Sequence, residues 1–330
     1  MRKKKILVIG PELSHFVKSD IELLRNIYDV SELFTPLNKI GIILSCIKSI
    51  SLVLKSDLIY IWFADAHALI PIILSKLLGK KSILVIGGYE IAKVNDPEIG
   101  IVYGNQNYIT RKIITNISIK LADVVVVPSE PCSTLLKEIL PSVNPVIIYP
   151  SIPCMCLSTP RKLENSVLMV ATANKDNEVL KGISTYNAVA KWFDFPFYII
   201  GDYESDSKSK YQNLVFLGRL SHDNVLEVMN NIKVYCQISY LESFGMAVVE
   251  AMSQGCIPVV TNKGSLPNII DRFGYVVKYG DIDDTRSAIQ SAISTNSDIS
   301  EMVSYTKRFS NDVRITKLVS VIDDLFGVIQ

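Results

Sequence analysis

The chain has 330 residues, with 34 Lys and Arg against 33 Asp and Glu and a net charge of +1. That length exceeds what one hydrophobic core usually organises, so two domains are expected. The charge balance excludes a basic nucleic-acid-binding surface as the main function, and a mean hydropathy of +0.28 excludes extensive disorder.

The basic start Arg2-Lys3-Lys4-Lys5 leads only into Ile6–Ile9 and then Gly10-Pro11, too short an apolar stretch for a secretory signal. The most apolar stretches, Ile40–Leu54 and Leu58–Leu78, are broken by Lys48 and by Asp65, His67 and Lys76. Neither supplies the roughly 20 uninterrupted apolar residues of a spanning helix. Of the cysteines, Cys46, Cys236 and Cys256 sit in apolar runs and read as small buried hydrophobes, and Cys154-Met155-Cys156 lacks the partner pair of a zinc site. A reduced, cytoplasmic protein is the expectation, at most peripheral at the inner membrane face.

In chain order, strands are predicted at Lys4–Ile9, Ser31–Phe34, Leu58–Phe63, Ser82–Ile86, Val124–Val127 and Val146–Tyr149. Helical patterns at Val17–Tyr28, Ile40–Lys55, Ala68–Leu78 and Ile109–Leu121 separate them. Strands apolar on both faces and alternating with helices predict a parallel sheet covered on two sides. The pattern resets after Pro150-Ser151-Ile152-Pro153, where the polar stretch Ser158–Asn165 reads as a linker. New strands are predicted at Val167–Ala171, Phe197–Ile200, Leu214–Leu217, Val234–Ile238, Ile257–Thr261 and Tyr275–Val277. The accompanying helices are Gly182–Phe193, Asn224–Asn230, Met246–Gln254 and Thr285–Ile293, with a last amphipathic helix at about Val313–Val328. The expected organisation is α/β, with domains at 1–153 and 154–310 and a final segment, 311–330, crossing back to the first. Two doubly wound domains of this kind bind ligands in the cleft between them, at the carboxyl ends of the strands.

The most informative stretch runs from Tyr240 to Val260. A strand ends in a loop carrying Glu242, and a helix begins at Gly245. The amides of Gly245, Met246 and Ala247 have no carbonyl one turn earlier to bond, which makes an anion site. Glu250 projects over the same mouth, where a carboxylate suits hydroxyl donors better than phosphate.

This segment resembles the E-x7-E signature of family-4 retaining glycosyltransferases of the GT-B fold, through Glu242-Ser243-Phe244-Gly245, Glu250-Ala251-Met252 and Gly255-Cys256-Ile257-Pro258-Val259. The likeness extends over nearly all of Val167–Gly280. It implies two Rossmann-like, doubly wound domains facing each other across a cleft, the second holding a nucleotide-sugar donor and the first an acceptor. By that resemblance Glu250 holds the donor's ribose hydroxyls and Glu242 sits at the sugar ring. Ser243, Phe244, Gly245 and Met246 supply backbone contacts to sugar and diphosphate. Lys181, in Lys181-Gly182, is expected to neutralise the diphosphate, and Lys175 stands near the place of a usual Arg. Gly201 matches the family's strand-end Gly, and Arg219 lies in the segment bordering the nucleobase.

The first domain matches only in layout. Where members often carry Gly-Gly after the first strand, this chain has Gly10-Pro11-Glu12-Leu13-Ser14-His15, and where many place a His it has Gly87-Gly88-Tyr89-Glu90. His15, Gly88, Tyr89 and Glu90 are the acceptor-side candidates, and His67 is the catalytic candidate of this domain. Retaining transfer to a glycan or lipid-linked acceptor, with no cofactor or metal, is the implied activity. Asp281-Ile282-Asp283 reads as a metal motif, but its place before a helix favours N-capping. A donor-binding subunit without activity and a nucleotide-sugar epimerase on the same fold are the alternatives. The apolar helices of the first domain read as core; if exposed, their surface suits an anionic bilayer.

Overall fold

The computed structural model describes residues 3–11, 14–36, 38–92, 94–95, 98–99, 109–152, 165–171, 180–202, 212–295 and 299–327. The chain divides into two units, Met1–Pro150 with Asn311–Gln330, and Ser151–Ser310. The division thus falls at Pro150, where the sequence suggested residue 153.

The first unit is built on β1 (Lys5–Pro11), β2 (Asp29–Thr35), β3 (Leu58–Trp62), β4 (Lys81–Val85), β7 (Val124–Val127) and β8 (Val146–Ile147). These strands form one parallel sheet in the order β2-β1-β3-β4-β7-β8. All of Leu58–Trp62 is buried, as a strand covered on both faces requires. A short antiparallel pair, β5 (Val94–Asn95) and β6 (Glu98–Ile99), has no counterpart in the sequence prediction. On one face lie α2 (Lys39–Lys55), α3 (Ala66–Leu77), α4 (Ile109–Leu121) and α5 (Glu130–Ile139), packed through Val53, Ile72, Ile119 and Leu136. The other face takes α1 (His15–Arg25) and the C-terminal helix (Asn311–Phe326), packed through Val17, Ile21, Leu318 and Ile322. Helix α5 was not predicted; its signal is Ser129, whose side chain accepts from the Cys132 amide with Pro131 in the first turn.

A buried polar cluster holds the C-terminal helix in this unit. Arg314 is 3% exposed and Asp20 1%. Arg314 donates to Asp20 through Nε (2.6 Å) and Nη2 (2.7 Å), and to the Tyr149 carbonyl through Nη1 (2.8 Å). Tyr60 and Trp62 also donate to Asp20, at 2.6 and 2.8 Å. Fork and carboxylate therefore satisfy each other away from water.

One expectation for this unit fails. The apolar composition of α2 and α3 predicts core helices, yet Ile40 is 73% exposed, Ile47 61% and Leu77 77%. A helix laid on a sheet buries one face only. In α2 that face carries Cys46, Ser49 and Val53, leaving the isoleucines outside.

The second unit repeats the plan with β9 (Val167–Val170), β10 (Phe197–Ile200), β11 (Leu214–Gly218), β12 (Val234–Gln237), β13 (Ile257–Thr261) and β14 (Tyr275–Val277). They form a parallel sheet ordered β11-β10-β9-β12-β13-β14. Its helices include α6 (Ile183–Ala190), α7 (His222–Asn231), α8 (Met246–Ser253), α9 (Leu266–Ile270), α10 (Ile282–Ser294) and α11 (Ser300–Thr306), with a 3-10 turn at Lys307–Phe309. The sheet's order reverses between β9 and β12, the switch point at which such sheets bind ligands beyond their carboxyl ends. Cys236 and Cys256 are buried free thiols, as expected, and burial pushes the Cys236 thiol far above its ordinary pKa. Cys154 and Cys156 lie outside the described residues.

Candidate active site

The site in the second unit grows out of β12. Tyr235 donates to Gln237 Oε1 at 2.7 Å, and Gln237 Nε2 donates to Ser239 Oγ (2.7 Å) and to Glu242 Oε1 (3.0 Å). A relay of buried polar groups thus leads from the sheet to the loop carboxylate. Lys181, just before α6, donates from Nζ to the same Glu242 oxygen at 2.7 Å. The loop is pinned on both sides: Tyr240 N bonds the Leu180 carbonyl, and Thr261 Oγ1 bonds the Ser239 carbonyl. Gly264 closes it from beyond β13. A Cβ there would stand 2.3 Å from the Glu242 carbonyl, so only glycine lets the backbones approach.

The loop ends at Gly245, whose φ of 95° turns the chain into α8. That left-handed start leaves the first amides of α8 aimed out of the helix, toward the loop side. One turn on, Glu250 is nearly buried, with Oε1 2.9 Å from His222 Nε2. The hydrogen bond to Glu250 raises the His222 pKa above 6.5, against the opposing effect of burial. Both Glu242 and Glu250 lie close enough to Tyr235 to push its pKa up, after burial itself. Glu242 stands in the loop that leads into α8 and Glu250 one turn inside it, so the two carboxylates flank one helix start.

His222 and Gln237 escaped the sequence reading. His222 was legible: Ser221 caps α7 by accepting from the Asn224 amide, which sets the next residue at the helix mouth. Gln237 carried no signal, since a polar residue ending a strand is common.

The remaining second-unit candidates are less drawn together. Gly201 follows β10, and Arg219 follows β11 with its side chain 82% exposed and 3.8 Å from Asp202. Ser243 contributes its carbonyl to Ser265 Oγ at 2.7 Å. The Phe244 ring is buried against Phe309, and Met246 opens α8. Lys175 lies outside the described residues. Asp281 caps α10 by accepting from the Asp284 amide at 3.0 Å, and Asp283 meets Arg286 at 3.4 Å.

In the first unit the candidates differ in character. His67 is buried with Nε2 2.9 Å from the Trp62 carbonyl, and burial lowers its pKa. Glu90 is buried and accepts from the amides of Ala64, Gly87 and Gly88 at 3.2, 3.1 and 2.9 Å. Burial raises its pKa in spite of those bonds. Gly88 is buried beside it, whereas Tyr89 and His15 are exposed. Arg111, which forks onto Asp65, reaches the Tyr89 ring at 5.8 Å.

Residues 159–309 match the family described as Glycosyl transferases group 1. No curated protein matches the sequence. Among solved structures, HepE of Anabaena in complex with UDP has a TM-score of 0.74 at 13% identity, over 97% of this chain and 100% of that one. Sucrose-phosphate synthase from Thermosynechococcus elongatus has a TM-score of 0.75 at 13% identity, covering 99% and 100% of the two chains. A UDP-N-acetylglucosamine 2-epimerase assignment from Listeria monocytogenes has 0.66 at 10%, covering 99% and 98%. The chain has the GT-B fold, and within its second unit residues 159–309 match the glycosyl transferases group 1 family.

Proposed function

We propose that this protein is a retaining glycosyltransferase of the family-4 type, moving a sugar from a nucleotide-diphosphate sugar to an acceptor hydroxyl without a metal ion. One observation carries the reading. Lys181, Glu242, the α8 start and Glu250 meet at the switch point of one sheet. They offer a cation and free amides for a diphosphate beside carboxylates for hydroxyls.

In this reading the diphosphate lies on the amides of Gly245, Met246 and Ala247, and Lys181 turns from Glu242 toward its oxygens. Glu250 accepts the ribose hydroxyls, with His222 orienting it, and Glu242 faces the sugar ring. The bond from the anomeric carbon to the diphosphate oxygen breaks as the acceptor oxygen bonds to that carbon on the same face. The acceptor's proton passes to the leaving diphosphate. The protein's part is charge stabilisation and alignment, which in a dry site accounts for most of the acceleration. His67 and Glu90 are read as structural ties, since both are buried and bonded to backbone. Arg219 stays a candidate for the base, and Tyr89 and His15 for the acceptor side. A cytoplasmic place, where nucleotide sugars are the donors, accords with this reading. The complex of HepE with UDP supports a nucleoside diphosphate as the leaving group.

A nucleotide-sugar epimerase is the second reading, favoured by the fold likeness to the Listeria protein and by the His222–Glu250 pair as an acid–base couple. Product analysis with a labelled nucleotide sugar separates them. Label transferred to acceptor with release of nucleoside diphosphate supports the transferase; a changed sugar still joined to its nucleotide overturns it.

A further inference from the structure

We propose that the outer face of α2, α3 and α4 is a docking surface for an anionic lipid bilayer. This goes beyond the reading of the donor site and does not depend on it. In α2 the exposed residues Ile40, Ile43, Leu44, Ile47, Ile50 and Leu54 recur at helical spacing and form one stripe about 22 Å long. The neighbouring α3 adds Ile70, Ile73 and Leu77, and α4, packed on α3, adds Ile109, Ile113 and Ile117. All three helices cover one face of the sheet, so their outward side chains share one surface. On a helix layer covering a sheet this surface is ordinarily polar, and so continuous an apolar patch marks an interaction face.

Charge selects the occupant. The three helices contain not one Asp or Glu, while Lys48, Lys55, Lys112 and Lys120 are exposed among the isoleucines. The whole chain is nearly neutral, so this positive bias is local. A two-fold pairing of copies would set these lysines against their own equivalents with no carboxylate between them. An anionic bilayer meets both features, taking the isoleucines at its acyl boundary and the lysines at its headgroups. Among the described residues no helix is long and apolar enough to cross a membrane, so the contact lies in the membrane plane.

The test is flotation of the full chain with phosphatidylcholine vesicles, with and without phosphatidylglycerol, at low and high salt. The wild type floats with phosphatidylglycerol vesicles at low salt, floats less at high salt, and stays below with phosphatidylcholine alone. The double variants Ile43→Glu/Ile47→Glu and Lys48→Glu/Lys112→Glu each reduce binding roughly tenfold, since each removes part of the apolar or ionic contact. Both change exposed residues, and unchanged cooperative melting verifies their folding. Wild type unbound at low salt overturns the proposal, as does wild-type binding by both variants. A dimer that the isoleucine variant converts to monomer assigns the face to a second copy and also overturns it.

Discussion

Lys181 Nζ and Glu242 Oε1 stand 2.7 Å apart, joining the helical turn before Gly182 to the loop after β12 at the carboxyl end of one sheet. Each charge is only partly buried, so the pair itself contributes little stability. In the proposed reading its consequence is placement, the cation being held beside a carboxylate until the donor diphosphate draws it away. Lys181→Ala is expected to lower kcat by about 10²–10³ with a small change in KM, because its charge meets the developing negative charge of the leaving group. Steady-state kinetics check this, and a raised KM at unchanged kcat would assign Lys181 to ground-state binding. Activity is expected to persist in EDTA; loss restored by Mg²⁺ or Mn²⁺ would contradict the metal-free mechanism.

Glu250→Ala is expected to weaken nucleotide-sugar binding about 10- to 100-fold, the loss that goes with removing a buried acceptor for hydroxyl groups. It also removes the partner of His222. Calorimetry on the folded variant measures the change, and donor affinity equal to wild type would remove Glu250 from the ribose.

Two histidines give opposite pH dependences of stability. His222 has its folded pKa raised above 6.5 by Glu250. Its contribution is fully present below 6.5 and is lost as pH rises through the raised value, because the folded state holds the proton longer. His67 has its folded pKa lowered by burial, so its contribution is present above 6.5 and lost as pH falls from there through the lowered value. His222→Gln should flatten the alkaline side of the melting profile and His67→Gln the acid side. Melting midpoints across pH that show the reverse pairing would contradict both assignments.

Asp20 and Arg314 join α1 to the C-terminal helix through a buried, fully bonded pair. Arg314→Ala leaves Asp20 charged and buried, which costs about 3–5 kcal/mol. The double variant Asp20→Leu/Arg314→Met, apolar at both places, should recover most of that. Denaturant unfolding measures both, and a double variant no better than the single would show the pair to be worth more than its desolvation.

The sheets were legible because their strands are continuous apolar runs: Phe197–Ile200, Ile257–Thr261 and Tyr275–Val277 stand where their composition put them. Glu242 and Glu250 were legible because a loop carboxylate, a glycine and a helix start follow one another in the chain. The pairing of Lys181 with Glu242 and of Glu250 with His222 joins residues far apart in sequence, and no local pattern encodes it. The exposed face of α2 was misread for a related reason. Composition measures how apolar a helix is, and the number of neighbours it finds depends on the layer it joins. Asp20 and Arg314 belong to the same class: each alone reads as a surface charge on a helix, and only the fold brings them together.

The central claim is that the second unit binds a nucleotide-diphosphate sugar through Lys181, the α8 start and Glu250. The most direct measurement is a thermal-shift series with UDP-, GDP- and ADP-sugars on the wild type and on Glu250→Ala, since a ligand of the native state raises its melting point with concentration. The account predicts that at least one of these donors raises the wild-type midpoint in a saturable way and that the same donor leaves Glu250→Ala nearly unmoved. No shift with any of them, or an equal shift in the variant, would contradict it.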